Sequence, residues 1–183
     1  MIKSLPLGKL SPEYLAELLE DHTFSLPGDR VLVYPGVGED AAVIDMGERW
    51  LVVKTDPITF ATDEIGWYAV HVNANDIAAA GGVPRWFLST LLLPEGGTDT
   101  SLIERIMGQI ASACRSLDVV PCGGHTEVTY NLDRPIVVGV MLGEIVPGNL
   151  VRSSGVQVGD TILLTKGVAV EGTAIMAREK EQD

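Results

Sequence analysis

Hydrophobic and polar positions alternate along this chain with two distinct periods, and the changes of period mark its elements. Ser11-Pro12-Glu13 joins a capping hydroxyl to a proline at the first helical position and an early acid, and Tyr14, Leu15, Leu18 and Leu19 then form an apolar stripe. A helix is expected there, ending near Asp21. Ala41-Ala42-Val43-Ile44-Asp45 and Trp50-Leu51-Val52-Val53-Lys54-Thr55 flank a break at Met46-Gly47-Glu48, which predicts an antiparallel hairpin whose second strand Pro57 ends. Helical periodicity returns from about Asp63 to Ala80 and stops at Gly81-Gly82 and Pro84. Arg85 to Leu93 reads as a strand, about Asp99 to Ser116 as a long helix, and Pro135 to Ile145 as a Val/Gly-rich strand. Near Pro147-Gly148-Asn149 the pattern changes. Asp160-Thr161-Ile162-Leu163-Leu164-Thr165 predicts a further strand, leading into a helix from about Glu171. A lone strand and helix cannot form a core, so residues 1–148 are expected to be one domain. Residues 149–183 are then either the start of a truncated second domain or a packed tail.

Composition adds bounds rather than chemistry. With 183 residues and 46% hydrophobic content the chain can bury a core. Its apolar runs fall far short of the roughly 20 residues a membrane span requires. Met1-Ile2-Lys3-Ser4-Leu5-Pro6 lacks the apolar segment of about 7 to 15 residues found in a signal peptide, so the expected location is the cytoplasm, without membrane partners. Thirteen basic against 25 acidic residues give a formal charge of -12, a surface that repels nucleic acid phosphates. Cys114 and Cys122 match no common zinc or redox spacing and are expected to be buried free thiols.

The acids matter by position. Pairing the hairpin about its turn sets Asp40 near Asp56, where like charges about 4.5 to 8 Å apart are destabilising unless something positive bridges them. They are either solvated acids at strand ends or two ligands of a divalent cation. On the following helix, at about 100° per residue, Asp76 falls in the same sector of roughly 80° as Ile65, Ala69, Val72 and Ala79. A carboxylate turned toward the buried side must be paired, protonated or metal-bound. Asn73, one turn earlier, leans the same way and offers an amide oxygen or donor. Magnesium favours a few carboxylates together with phosphate oxygens and water, and three separated aspartates fit that habit.

After a short strand at Val119-Val120, the loop Cys122-Gly123-Gly124-His125-Thr126-Glu127 offers glycines that let backbone approach a phosphate. His125 is open to three roles: base, hydrogen-bond donor or core residue. No Walker loop or dinucleotide fingerprint occurs.

The order Gly38-Glu39-Asp40-Ala41-Ala42-Val43, Lys54-Thr55-Asp56, Asn73-Ala74-Asn75-Asp76 through Pro84, and Gly123-Gly124-His125-Thr126-Glu127 resembles the aminoimidazole ribonucleotide synthetase superfamily. That superfamily also holds thiamine monophosphate kinase, selenophosphate synthetase and the hydrogenase maturation protein that dehydrates a carbamoylated cysteine. The resemblance implies an α/β (α+β) N-terminal domain with a mixed, mainly antiparallel sheet flanked by helices, dimerising through that sheet. It further implies ATP in a long groove with Mg2+ held by Asp40, Asp56 and Asp76, and Thr55, Asn73, Gly123, Gly124, His125 and Thr126 against the nucleotide. Where the kinase and maturation branches carry an aspartate this chain has His125, and Glu127 is the expected replacement ligand. Thr55-Asp56-Pro57-Ile58-Thr59-Phe60 and Pro135-Ile136-Val137-Val138-Gly139 resemble the hydrogenase maturation branch most, which implies maturation partner proteins and ATP-driven activation of an oxygen for dehydration. The alternatives are a kinase similar to thiamine monophosphate kinase and a non-catalytic, dimerising nucleotide-binding module. No catalytic residue is assigned.

Overall fold

Runs of period two become strands and runs of period 3.6 become helices in the computed structural model of the chain, which describes residues 4–60 and 63–181. In order these are α1 (Pro12–His22), β1 (Val31–Val33), β2 (Ala42–Asp45), β3 (Trp50–Ile58), α2 (Ile65–Ala79), β4 (Val83–Pro94), α3 (Thr100–Ser116), β5 (Val120–Thr129), β6 (Ile136–Ile145) and α4 (Val170–Glu181). The sheet runs β1-β2-β3-β6-β4-β5, and among these neighbours only β4 and β5 are parallel. Parallel neighbours need a long crossover, which α3 supplies. The fold is therefore the mixed, mainly antiparallel α+β sheet with helices that the resemblance implied.

One face of this sheet carries the core. Along β6 alternate residues Val137, Gly139, Met141, Gly143 and Ile145 are buried and receive α2, whose buried stripe is Ile65, Gly66, Ala69, Val70, Asn73, Ala74 and Ile77. Glycine at 139 lets helix and sheet approach closely. A Cβ there would lie 2.9 Å from both Ala69 O and Phe87 Cε2, and would run into the Asn73 amide. α3 crosses α2 at Gly66, where a Cβ would meet Ile106 O at 2.5 Å. Fully buried Ile65, Ile77, Leu91 and Ile106 each contribute about 1.5 to 3 kcal/mol by leaving water.

Five sequence expectations change. Pro57 does not end β3, which continues to Ile58. Pairing with β2 stops at Ala42↔Val53, so Pro57 has β6 alone as neighbour and its missing N–H leaves no ladder bond unmade on the open side. Cys122–Glu127 is not a loop but part of β5, because pairing with β4 overrides the weak strand propensity of its glycines. Residues 160–165 form no strand: Ile162, Leu163 and Leu164 are 96%, 84% and 67% exposed, and strand propensity without a pairing partner is insufficient. The helical stripe is centred on Ala69 and Asn73, leaving Ala79 exposed and Asp76 at the stripe's edge. Cys122 is exposed, whereas Cys114 is buried as expected. Met1, Ile2 and Lys3 of the N-terminal segment lie outside the described residues, as does Asp183. Among the described residues no helix is long and apolar enough to cross a membrane.

Candidate functional site: three aspartates around a buried lysine

Val52, Lys54, Asp56 and Ile58 share one face of β3 by strand alternation, and the ladder partners of Lys54 and Asp56 are Met141 and Gly139, from the buried set of β6. Lys54 and Asp56 thus point to the side where α2 packs. Asp76 comes from α2 itself, and Asp40 from the turn leading into β2. Asp76 Oδ2 lies 2.9 Å from Lys54 Nζ, Asp56 Oδ2 3.3 Å and Asp40 Oδ1 3.9 Å. The Lys54 side chain is only 10% exposed, against 25% for Asp76, 34% for Asp56 and 74% for Asp40. The ammonium is the floor of the site, and the acids rise from it toward solvent.

The expected convergence of Asp40, Asp56 and Asp76 occurs, but by a different route. The observed register, Ala42↔Val53, continued outward sets Thr55 opposite Asp40, so the acids do not face each other across the hairpin. What bridges them is Lys54. Strand alternation places Lys54 on the same face as Val52 and Asp56, and that period of two is the sequence signal for it. Burial works against the charge on Lys54, but the hydrogen bond and attraction of Asp76, then of Asp56, outweigh it and hold its pKa above the ordinary lysine value. Asp76 is pushed above the usual carboxylate range, chiefly by burial and further by Asp40 and Asp56, with Lys54 opposing. The two directions agree physically: a lysine among three acids is favoured in its charged form, while Asp76 is half-buried and feels the other two acids. Among the described residues no group of three or more His, Cys, Asp or Glu side chains is placed to hold a metal ion.

Asn73 is fully buried. Its Nδ2 donates to Ala69 O at 2.8 Å and to Asp56 O at 3.4 Å, so it ties the helix bearing Asp76 to the strand bearing Asp56. Its Oδ1 is buried without a hydrogen-bond partner. The Thr55 hydroxyl donates to Gly139 O at 2.9 Å.

Gly123, Gly124, His125, Thr126 and Glu127 are not brought to this point. β5 is three strands away from β3 in the sheet order, about 14 Å at the usual spacing. His125 pairs with Thr90 and, through it, with Val138, on the face opposite Asp56 and Lys54. There His125 Nε2 and Glu127 Oε2 lie 3.0 Å apart, both exposed. Glu127 therefore does not join the three aspartates within this chain.

A second feature had no sequence signal. After β6 the chain folds back over the end of α2, where Val151 N donates to Ala80 O at 3.1 Å. Arg152 Nη2 donates to Glu39 Oε1 at 2.8 Å, and Ser153 Oγ to Gly38 O at 2.7 Å. This strap clips down the Gly38-Glu39-Asp40 turn. Beneath it lies a cavity of about 320 Å³, walled by Val33, Val43, Ala79, Leu150, Val151 and Val156, with Asp40 and Asp76 at its margin.

Similarity to known proteins follows the same residues. The chain is 30% identical over 166 residues to the selenide, water dikinase of Rhizobium meliloti (strain 1021), covering 88% of this chain and 47% of that protein. It is also 30% identical over 143 residues to a hydrogenase expression/formation protein of Methanocaldococcus jannaschii, covering 75% of this chain and 42% of that one. The chain thus spans less than half the length of these relatives. In fold it matches a crystal structure of a HypE–HypF complex with a TM-score of 0.68 at 24% identity, over 79% of this chain and 48% of that one. Residues 38–145, which begin at the clipped turn and end with β6, match the family described as AIR synthase related protein, N-terminal domain, and the chain belongs to that family.

Proposed function

We propose that this chain is the Mg-ATP-binding part of an ATP-dependent enzyme similar to the hydrogenase expression/formation proteins, with Asp40, Asp56 and Asp76 as its metal and phosphate ligands. The observation that carries this reading is the convergence of three carboxylates, from a turn, a strand and a helix, on one cationic point. Separate elements bring like charges together only where a cation compensates them, and hard carboxylate oxygens suit magnesium. When bound, magnesium would neutralise phosphate oxygens and polarise them for transfer. The chain's own parts orient the ligand. Asn73 fixes α2 against β3, the Arg152 strap holds the turn of Asp40, and the neighbouring cavity accepts an apolar part of the ligand.

The second motif group fits an edge that meets another copy. β5 is exposed at every position but its last, and Val120, Val128 and Tyr130 are 56%, 56% and 74% exposed there. We assign this strand to a homodimer contact, with Gly123, Gly124, His125, Thr126 and Glu127 reaching nucleotide along it. The relatives' names support ATP chemistry: besides the dikinase, a thiamine-monophosphate kinase of Aquifex aeolicus is 27% identical over 80% of this chain. A kinase similar to selenide, water dikinase is the second reading, favoured by that relative and by Gly123-Gly124-His125.

Thermal denaturation with and without Mg-ATP tests the shared core of both readings. Wild-type chain is expected to gain about 4 °C or more at a hundredfold excess over Kd, which corresponds to about 2.7 kcal/mol of binding stabilisation. Asp56→Ala with Asp76→Ala is expected to lose the gain. An equal gain in the double variant removes the aspartates from the site.

A further inference from the structure

Resting on the reading that the cavity beneath the strap takes an apolar part of the ligand, we propose that residues 149–156 are a latched lid on it, seated at one end and released at the other through the Arg152–Glu39 pair. The two ends of this segment are held by different chemistry. At the first, Asn149 N donates to Val146 O at 3.0 Å and Val151 N to Ala80 O at 3.1 Å. Gly81, at φ +83°, lies so close there that a Cβ on it would run into Asn149 O. This end is backbone seated on backbone, just past the helix that carries Asp76. At the second end every bond comes from a side chain of the segment. Arg152 Nε and Nη2 donate to Glu39 Oε1 at 3.1 and 2.8 Å, Ser154 Oγ to the same oxygen at 3.3 Å, and Ser153 Oγ to Gly38 O at 2.7 Å. Local opening follows the weaker set of contacts, so the outer end lifts while the seat holds. The segment is also wall as well as cover: Leu150, Val151 and Val156 line the cavity together with Val33, Val43 and Ala79 from the body of the domain. Val151 and Val156 are nevertheless 61% and 76% exposed, apolar surface left in water that a bound group would cover. An apolar cavity of about 150 Å³ holds benzene. The roughly twofold larger volume here suits a neutral group of about two rings.

Thiol labelling of the inner wall tests the lid. Val43 is buried and lines the cavity, so Val43→Cys in a Cys122→Ser background sets a thiol where a reagent arrives only on opening. Cys114, buried in α3 away from the cavity wall, reports openings of the whole domain. A small methanethiosulfonate reagent is expected to reach the introduced thiol about fivefold faster when Arg152→Ala is added. Ser153→Ala is expected to act in the same direction by a smaller factor, and labelling of Cys114 to stay unchanged. Indole, as a neutral two-ring probe, is expected to slow labelling of the introduced thiol with or without the latch. Equal rates with and without Arg152, or a parallel rise at Cys114, would overturn the lid, and rates that indole leaves unchanged would overturn the apolar site beneath it. If Val43→Cys does not fold, Val33→Cys reports from the same wall. Mg-ATP separates the two levels. Latch-dependent labelling in a protein whose melting temperature Mg-ATP does not move keeps the lid and rejects the nucleotide reading. A Mg-ATP shift with labelling that ignores the latch keeps the nucleotide reading and rejects the lid.

Discussion

Replacing Gly139 by alanine tests how closely α2 sits on the sheet, and through that how the site is set. The added Cβ would stand 2.9 Å from Ala69 O and 2.9 Å from Phe87 Cε2, and would collide with Asn73 Nδ2. Two of these neighbours are hard to move: Ala69 O is helix backbone, and Phe87 is fully buried. The third, Asn73, is the residue that joins α2 to Asp56 O. Relief therefore requires α2 to lift from β6, and overpacking of this kind costs about 1 to 3 kcal/mol. For a domain of this size the loss corresponds to about 2 to 12 °C in melting temperature. Gly108→Ala is the internal comparison. Gly108 is exposed in the middle of α3, and a Cβ there meets nothing within 4 Å. It is expected to raise stability by about 1 kcal/mol through helix propensity alone. The same chemical change, one methyl on a glycine, thus has opposite signs at two positions. Urea denaturation followed by circular dichroism reads both, with the midpoint moving down for Gly139→Ala and up for Gly108→Ala at constant slope. A Gly139→Ala protein as stable as wild type would refute the close seating of α2, and with it the placement of Asp76 beside Lys54.

Two further outcomes follow from the strap and the thiols. Arg152→Ala removes an ion pair in which Arg152 is 42% exposed and Glu39 only 14%, so global stability is expected to fall by about 1 kcal/mol. Amide exchange in residues 36–41 and 149–153 is nevertheless expected to quicken about fivefold as the clip on Glu39 opens, and unchanged exchange in 36–41 would show that the strap does not hold that turn. Cys114 is buried, and burial pushes its thiol up to about 11, whereas Cys122 is exposed. Near pH 8 the Cys114 thiolate fraction is about one in a thousand, so a thiol reagent is expected to modify one cysteine per native chain and two only after denaturant. Equal rates for both would contradict the burial of this face of α3 in the core.

What could be read from the chain alone depended on whether a residue's role was local. Helix α3 was legible because Asp99 caps it through the N–H of Leu102 and its apolar stripe repeats at helical spacing. The β2–β3 hairpin was legible because its turn fixes the register. β5 was misread because its strand character comes from β4, a neighbour separated from it by the whole of α3, and no local preference of Gly123-Gly124 announces it. The acids were found, since buried or opposed charges stand out in a pattern. Their bridge was not, because lysine in a strand reads by default as a solvated residue. Only the pairing of β3 with β6, together with α2 above it, encloses Lys54. Glu39 illustrates the same limit. It sits inside the most recognisable acidic motif, yet its carboxylate is taken up by Arg152, a residue more than a hundred positions later with no motif of its own. A sequence motif names the residues gathered at a site. Which neighbour takes up each of them is decided by contacts between distant segments: Asp76 is held by Lys54 of β3 and Glu39 by Arg152 of the strap, although both acids lie in family motifs.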